Sequence, residues 1–233
     1  MGNHNTTDAR PQVPDNWDAT QIASQKGRIA VVTGANSGIG YDTALELAPQ
    51  LLPLLKQGIP SRIVNVSSLA HSGATLDRFA PGAEIMWTND VGYSPMNVYS
   101  ESKLSNLLFT FELERRLRAQ NVTGVTAVAC HPGLTGTNLG VAPATENTGL
   151  TALLWRFSGM LPLQGTDRGA LPTLYAATGS DVEGNDYYGP AKYFEIRGPP
   201  KRVKAKPTAH DEPAAKALWK ESERLAKLQF NVQ

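Results

Sequence analysis

Tyr99 and Lys103 stand four residues apart near the head of a long amphipathic run, and on a helix that spacing puts a phenol and an ammonium on one face. An isolated phenol holds its proton too tightly to exchange it at neutral pH. A cation one turn away favours the phenolate, which makes the pair a candidate general acid and base. The spacing alone is a weak signal, because Tyr188 and Lys192 repeat it with Gly189 and Pro190 between them, residues that forbid a helix. A second chemical feature is Thr33-Gly34-Ala35-Asn36-Ser37-Gly38-Ile39-Gly40, which follows the apolar run Ile29 to Val32 and opens a helix-like segment from Tyr41 to about Lys56. Strand, glycine-rich turn and helix N-terminus together form an anion site, where backbone N–H groups approach a pyrophosphate and the helix dipole favours its charge. A third is Ser68, the hydroxyl that ends the strand-like run from Ser61.

These groups need a scaffold, and the pattern supplies one. Three apolar runs, 28–33, 62–67 and 125–130, read as strands buried on both faces, with helical segments between them. The class is therefore α/β, with a parallel sheet flanked by helices. The helix from Tyr99 to about Gln120 carries Leu104, Leu107, Leu108, Phe111 and Leu117 as a core stripe, with Glu112/Arg116 and Glu114/Arg118 expected as exposed pairs. Cys130 reads as a packed small residue, and His131 as a satisfied strand-end histidine with no visible nucleophile to serve. Residues 149–163 fit either a lid or a packed helical segment, and 167–177 read as a helix. Tyr187 to Gly189 read as a short last strand, and Lys201 to Lys206 as a solvated basic loop. A final helix spans 211–228 with Asp211 as N-cap and Leu218, Trp219, Leu225 and Leu228 on its buried stripe.

Composition narrows the classes. The 233 residues, 41% apolar and 18% charged, suit one sizeable domain, read as 27–233 behind a polar arm at 1–26 that Trp17 and Ile22 anchor. A net charge of +1 gives no argument for nucleic acid, and no apolar segment is long enough for a membrane span. The single cysteine fits a reducing, cytoplasmic setting. Four scattered histidines offer no metal constellation. The first residues match an N-myristoylation pattern that is loosely specified, and a solvated arm is the simpler reading.

The glycine loop at 33–40, the strand ending in Ser68, the Tyr99/Lys103 helix and Pro132-Gly133 after the next strand occur in one order. Together they resemble the short-chain dehydrogenase/reductase superfamily. Asn65 to His71, Ser102 to Thr110 and His131-Pro132-Gly133 are similar to its retinol-dehydrogenase-like and protochlorophyllide-reductase-like branch. The resemblance implies hydride transfer between NAD or NADP and a small carbonyl or alcohol substrate. Tyr99 would pass the proton, Lys103 would favour the phenolate and hold the nicotinamide ribose, and Ser68 would hydrogen-bond the substrate oxygen. Gly34, Ser37, Gly38, Ile39 and Gly40 would cradle the pyrophosphate, while Pro132, Gly133, Leu134 and Thr137 would cover the nicotinamide end.

The chain also departs from the family plan. The strand after the glycine-loop helix ends in Ser67-Ser68, with no residue to select the adenosine ribose. By resemblance it is the fifth strand, so the second to fourth strands, an Asn-Asn-Ala-Gly signature and the fourth catalytic member, a helix asparagine, are absent. Roughly 80–100 residues of the usual plan are missing between Leu47 and Pro49. A catalytically impaired deletion product is therefore the alternative reading. In such a chain Ile29 to Val32 would be an apolar edge strand, open to self-association.

Overall fold

The structure, a computed structural model, describes residues 13–22, 56–58, 60–80, 93–135, 164–227 and 229–230. The glycine loop, the predicted strand at 28–33, the junction near Pro49, the 149–163 segment and Thr137 lie outside the described residues. Four strands form one sheet in the order β1 (Ser61–Val66), β2 (Val125–Cys130), β3 (Tyr187–Lys192), β4 (Arg197–Arg202). β1 to β3 are parallel and β4 returns antiparallel. The first pairing runs in register from Ser61 opposite Val125 to Val66 opposite Cys130. This is the parallel Rossmann-like sheet with flanking helices that the sequence predicts, with four strands among the described residues.

Helix α1 (Pro95–Ala119) crosses from β1 to β2. It begins earlier than Tyr99 because Ser94 precedes a proline at the first helical position, where a missing N–H costs nothing. β2 is apolar but for the half-buried Thr126 because both of its faces are covered. Ala127 and Ala129 face α1 and α4 (Glu212–Ala226), among Leu104, Leu107, Leu113, Leu218 and Trp219. Val128 and Cys130 face the other way, onto Tyr175, Ala176 and Tyr188. Trp17 joins that second core edge-on to Tyr175, with ring centroids 4.7 Å apart, so the anchor predicted for the arm is packed.

Five expectations need correction. The 167–177 helix is broken into α2 (Thr166–Gly169) and α3 (Leu171–Thr178): a Cβ at Gly169 would lie 2.4 Å from Thr135 Oγ1, and Pro172 cannot donate to a continuous helix. Lys201 and Arg202 are in β4, not in a loop, and β3 is not the last strand. Pro190 and Pro200 face each other across the hairpin beside a bulge, where missing N–H donors are tolerated. Arg202 Nε reaches Asp186 Oδ1 at 3.2 Å. Glu112 and Glu114 do pair with Arg116 and Arg118, at 2.7 Å each, but both carboxylates are buried. Leu225, assigned to the buried stripe of α4, is exposed, while Asp211 caps that helix as expected, accepting from Ala214 N at 2.8 Å. Leu228 lies outside the described residues.

Candidate active site

β1 and α1 are stitched by polar contacts that step along both elements. Asn65 Nδ2 donates to Thr110 Oγ1 at 2.9 Å, Asn106 Nδ2 donates to the Val66 carbonyl at 2.8 Å, and Ser67 Oγ donates to the Lys103 carbonyl at 2.8 Å. Each residue gained on the strand moves three or four residues back along the helix, one turn at a time. The next step on each element is Ser68 and Tyr99. Just beyond, a Cβ at Gly73 would sit 3.7 Å from Ser100 Oγ, so the 3-10 turn Leu69–Gly73 abuts the same helical turn. The strand's carboxyl end is thereby held against the first turns of α1.

Tyr99 is half-buried, and the Lys103 ammonium lies 5.4 Å from the centre of its ring. The predicted face is real. Lys103 is 1% exposed, and desolvation pulls its pKa down to about 8, since burial disfavours the charged form. Ser68 Oγ accepts from Ala70 N at 3.2 Å and so caps the turn, which leaves its own hydrogen to donate elsewhere. Tyr188 and Lys192, the competing pair, fall in β3. Tyr188 is fully buried, its hydroxyl donates to Asp186 Oδ2 at 3.0 Å, and burial raises its pKa far above the ordinary range.

The loop after β2 is braced from two sides. His131 is fully buried: its Nδ1 accepts from Gly133 N at 3.2 Å and its Nε2 donates to Glu195 Oε2 at 3.1 Å, so both nitrogens are engaged, as a strand-end histidine requires. Gly133 has φ +69, and a Cβ there would lie 2.2 Å from the Ile196 carbonyl. Leu134 N donates to that carbonyl at 2.9 Å, and Gln164 Nε2 donates to the Pro132 carbonyl at 2.5 Å. The N–H groups of Gly133 and Leu134 are thus spent within the protein. What this loop offers a ligand is apolar surface, chiefly Leu134 at 37% exposed. Such a surface suits the face of a flat ring better than a phosphate.

The β3–β4 turn rises at the same carboxyl edge of the sheet. Tyr193, Phe194 and Glu195 adopt φ values of 53, 54 and 64, and Tyr193 and Phe194 are 63% and 96% exposed. Sequence reasoning missed this turn, and it missed Asn65, Ser67, Asn106 and Thr110 as positioning residues. The available signal was the spacing of Tyr99, Lys103, Asn106 and Thr110, a polar stripe at i, i+4, i+7 and i+11 beside the apolar one.

The chain is 34% identical over 192 residues to retinol dehydrogenase 13 of Mus musculus, covering 82% of this chain and 53% of that protein. It is 37% identical over 191 residues to retinol dehydrogenase 14 of the same species, covering 80% and 50%. The chain belongs to the short-chain dehydrogenase/reductase superfamily, in its retinol-dehydrogenase-like branch. It spans about half the length of the curated relatives it matches. A crystal structure of an uncharacterized protein from Mycobacterium paratuberculosis superposes with a TM-score of 0.56 at 34% identity, over 82% of this chain and 57% of that one. No protein-family model matches the chain. Among the described residues no helix is long and apolar enough to cross a membrane.

Proposed function

We propose that residues 27–233 form an oxidoreductase domain that interconverts a carbonyl and an alcohol with NAD or NADP. The observation that supports this is the stepwise stitching of β1 to α1, whose next step along both elements is Ser68 and Tyr99, with the Lys103 ammonium 5.4 Å from the centre of the Tyr99 ring. When bound, the cofactor supplies or accepts the hydride. In this reading Tyr99 Oη gives a proton to the substrate oxygen in reduction and takes it back in oxidation. Ser68 Oγ–H donates a hydrogen bond to the same oxygen and offsets the charge that develops there. Lys103 stabilises the phenolate formed and holds the nicotinamide ribose, while Leu134 and Pro132 pack against the nicotinamide end. Gly34, Ser37, Gly38, Ile39 and Gly40 hold the pyrophosphate, and Thr137 completes the cover. A cytoplasmic setting belongs to the same proposal.

An apolar substrate suits this edge of the sheet, where Tyr193, Phe194 and Leu134 present exposed carbon surface. The relatives' names, retinol dehydrogenases, point the same way. Titration of the purified chain with NADH and NADPH, read by cofactor fluorescence, tests the proposal. Saturable binding of one of them is expected, and no binding at millimolar cofactor would defeat it.

A second reading has its own observation. The chain aligns over 82% of its length with only 53% of the mouse relative, and its sequence contains no Asn-Asn-Ala-Gly. An internal deletion near Leu47 to Pro49 would remove the adenosine pocket and leave a chain without turnover, prone to self-association through 29–32. Genomic DNA decides between them: an in-frame Asn-Asn-Ala-Gly segment at that junction would mark an incomplete gene product.

A further inference from the structure

We infer that His71, held as the neutral Nδ1–H tautomer, is a positioning residue that clamps the Ser68 turn to the segment after β4, and so sets the Ser68 hydroxyl for the reaction proposed above. The inference rests on that reading for its consequence in catalysis, and on geometry alone for the clamp.

His71 is 3% exposed, and each ring nitrogen meets a backbone group of opposite kind. Its Nδ1 lies 2.7 Å from the Ser68 carbonyl, an atom that can only accept, so Nδ1 carries the hydrogen. Its Nε2 lies 3.3 Å from Lys206 N, a group that can only donate, so Nε2 carries the lone pair. The two contacts admit one tautomer and exclude the imidazolium, which would aim a second N–H at the Lys206 N–H. The Ser68 carbonyl also accepts from His71 N at 3.1 Å, and Ser68 Oγ accepts from Ala70 N, so peptide and hydroxyl of Ser68 are oriented by one small turn. The ring closes the far side by standing edge-on to Tyr187, with centroids 5.7 Å apart.

The hydrogen bond to the Ser68 carbonyl and the Glu195 carboxylate favour a charge on the ring, and burial outweighs them. Tyr187 on β3 is a buried phenol, and His131, just after β2, and Lys206 both oppose a charge on the ring. Among the described residues Glu195 on the β3–β4 turn is the acid whose field reaches the ring, and its carboxylate is engaged with His131. Burial, the largest influence, moves the His71 pKa below the ordinary imidazole range. The clamp therefore stays closed through neutral pH.

The test uses the whole chain. Long-range 15N correlation spectra of the wild type are expected to show His71 with Nδ1 protonated and Nε2 bare at pH 7, unchanged as the pH falls through the ordinary imidazole range. An Nε2–H tautomer or an imidazolium at pH 7 overturns the clamp, and this readout needs no turnover. Turnover then tests the positioning role with two variants. His71→Asn keeps a donor for the Ser68 carbonyl, whereas His71→Phe fills the space with none. His71→Phe is expected to lose at least about tenfold in kcat with KM for the cofactor within about twofold, and His71→Asn to recover most of that loss. Equal losses in the two variants, or a loss confined to cofactor KM, overturn the positioning role. If the wild type binds no cofactor, the proposed activity fails and the spectra still judge the clamp.

Discussion

On the proposed function, Tyr99→Phe is expected to lower kcat for carbonyl reduction by about 10³-fold while leaving cofactor binding within about twofold of wild type, because the phenyl ring keeps the packing and loses only the proton. Lys103→Met abolishes turnover to a similar degree and, unlike Tyr99→Phe, also weakens the cofactor. Its effect on stability has the opposite sign. The Lys103 ammonium is held in a desolvated site that draws its pKa from 10.5 down to about 8. At pH 7 both folded and unfolded chains carry that proton, and the folded chain bears the full cost of burying the charge. Between pH 8 and 10.5 the unfolded chain binds the proton and the folded chain does not, so stability rises with pH through that window and levels off above it. Removing the ammonium therefore raises Tm at pH 7, by an amount corresponding to about 2–3 kcal/mol, and the gain shrinks toward pH 10.5. Thermal melts of wild type and Lys103→Met at pH 7 and pH 10.5 check this. A variant less stable than wild type at pH 7 would show that the contacts Lys103 makes outweigh the cost of burying its charge. On the proposed function, a lysine that costs its own fold stability is kept for a task that needs its charge.

The parts of this molecule that the sequence reveals are those whose cause is local. β2 is an apolar run covered on both faces, α1 and α4 carry apolar stripes at helical spacing, and Asp211 precedes its helix as an N-cap does, whereas β1, also expected to be buried on both faces, is only half-buried along its length because it is the outermost of the described strands. β4 is hidden because Arg197-Gly-Pro-Pro-Lys-Arg has neither alternation nor β propensity. It becomes a strand through what lies opposite it, Pro190 facing Pro200 and Asp186 receiving Arg202. The break at Ala170 has one part that the sequence displays, Pro172, and one that it does not, the Thr135 side chain against Gly169. In the site, Ser68, Tyr99 and Lys103 are legible because their types and order form a motif. The residues that aim them are less so: Ser67 and Asn106 bind backbone carbonyls, partners that no residue pattern displays. The same reason conceals His71, whose two partners are the carbonyl of Ser68 and the N–H of Lys206.

Glu114→Ala destabilises the fold by about 2–4 kcal/mol, although an i,i+4 pair with Arg118 reads as a surface feature worth a few tenths. β2 extends beyond the start of β3: Ala129 is opposite Tyr187, while Ala127 on the same edge has no strand residue to accept its N–H. Glu114 Oε2 fills that place, accepting from Ala127 N at 2.8 Å, and Oε1 accepts from Arg118 Nε at 2.7 Å. Arg118 Nη2 in turn donates to the Gly184 carbonyl at 3.0 Å, drawing the chain that enters β3 toward the carboxylate. Gly184 is required there because a Cβ would lie 1.9 Å from Glu114 Oε1, at a position crossed by backbone that cannot retreat without releasing Asn185 N from the Ala127 carbonyl. Gly184→Ala is therefore expected to cost a comparable amount, roughly 2–3 kcal/mol, by expelling the carboxylate and stranding the same N–H. Since both substitutions break one arrangement, the double variant costs clearly less than the sum of the two, by at least about 1 kcal/mol. Urea unfolding of the four chains of this cycle measures it. Additive losses would mean that the glycine is needed for its backbone alone and that the carboxylate does not close the edge of β2.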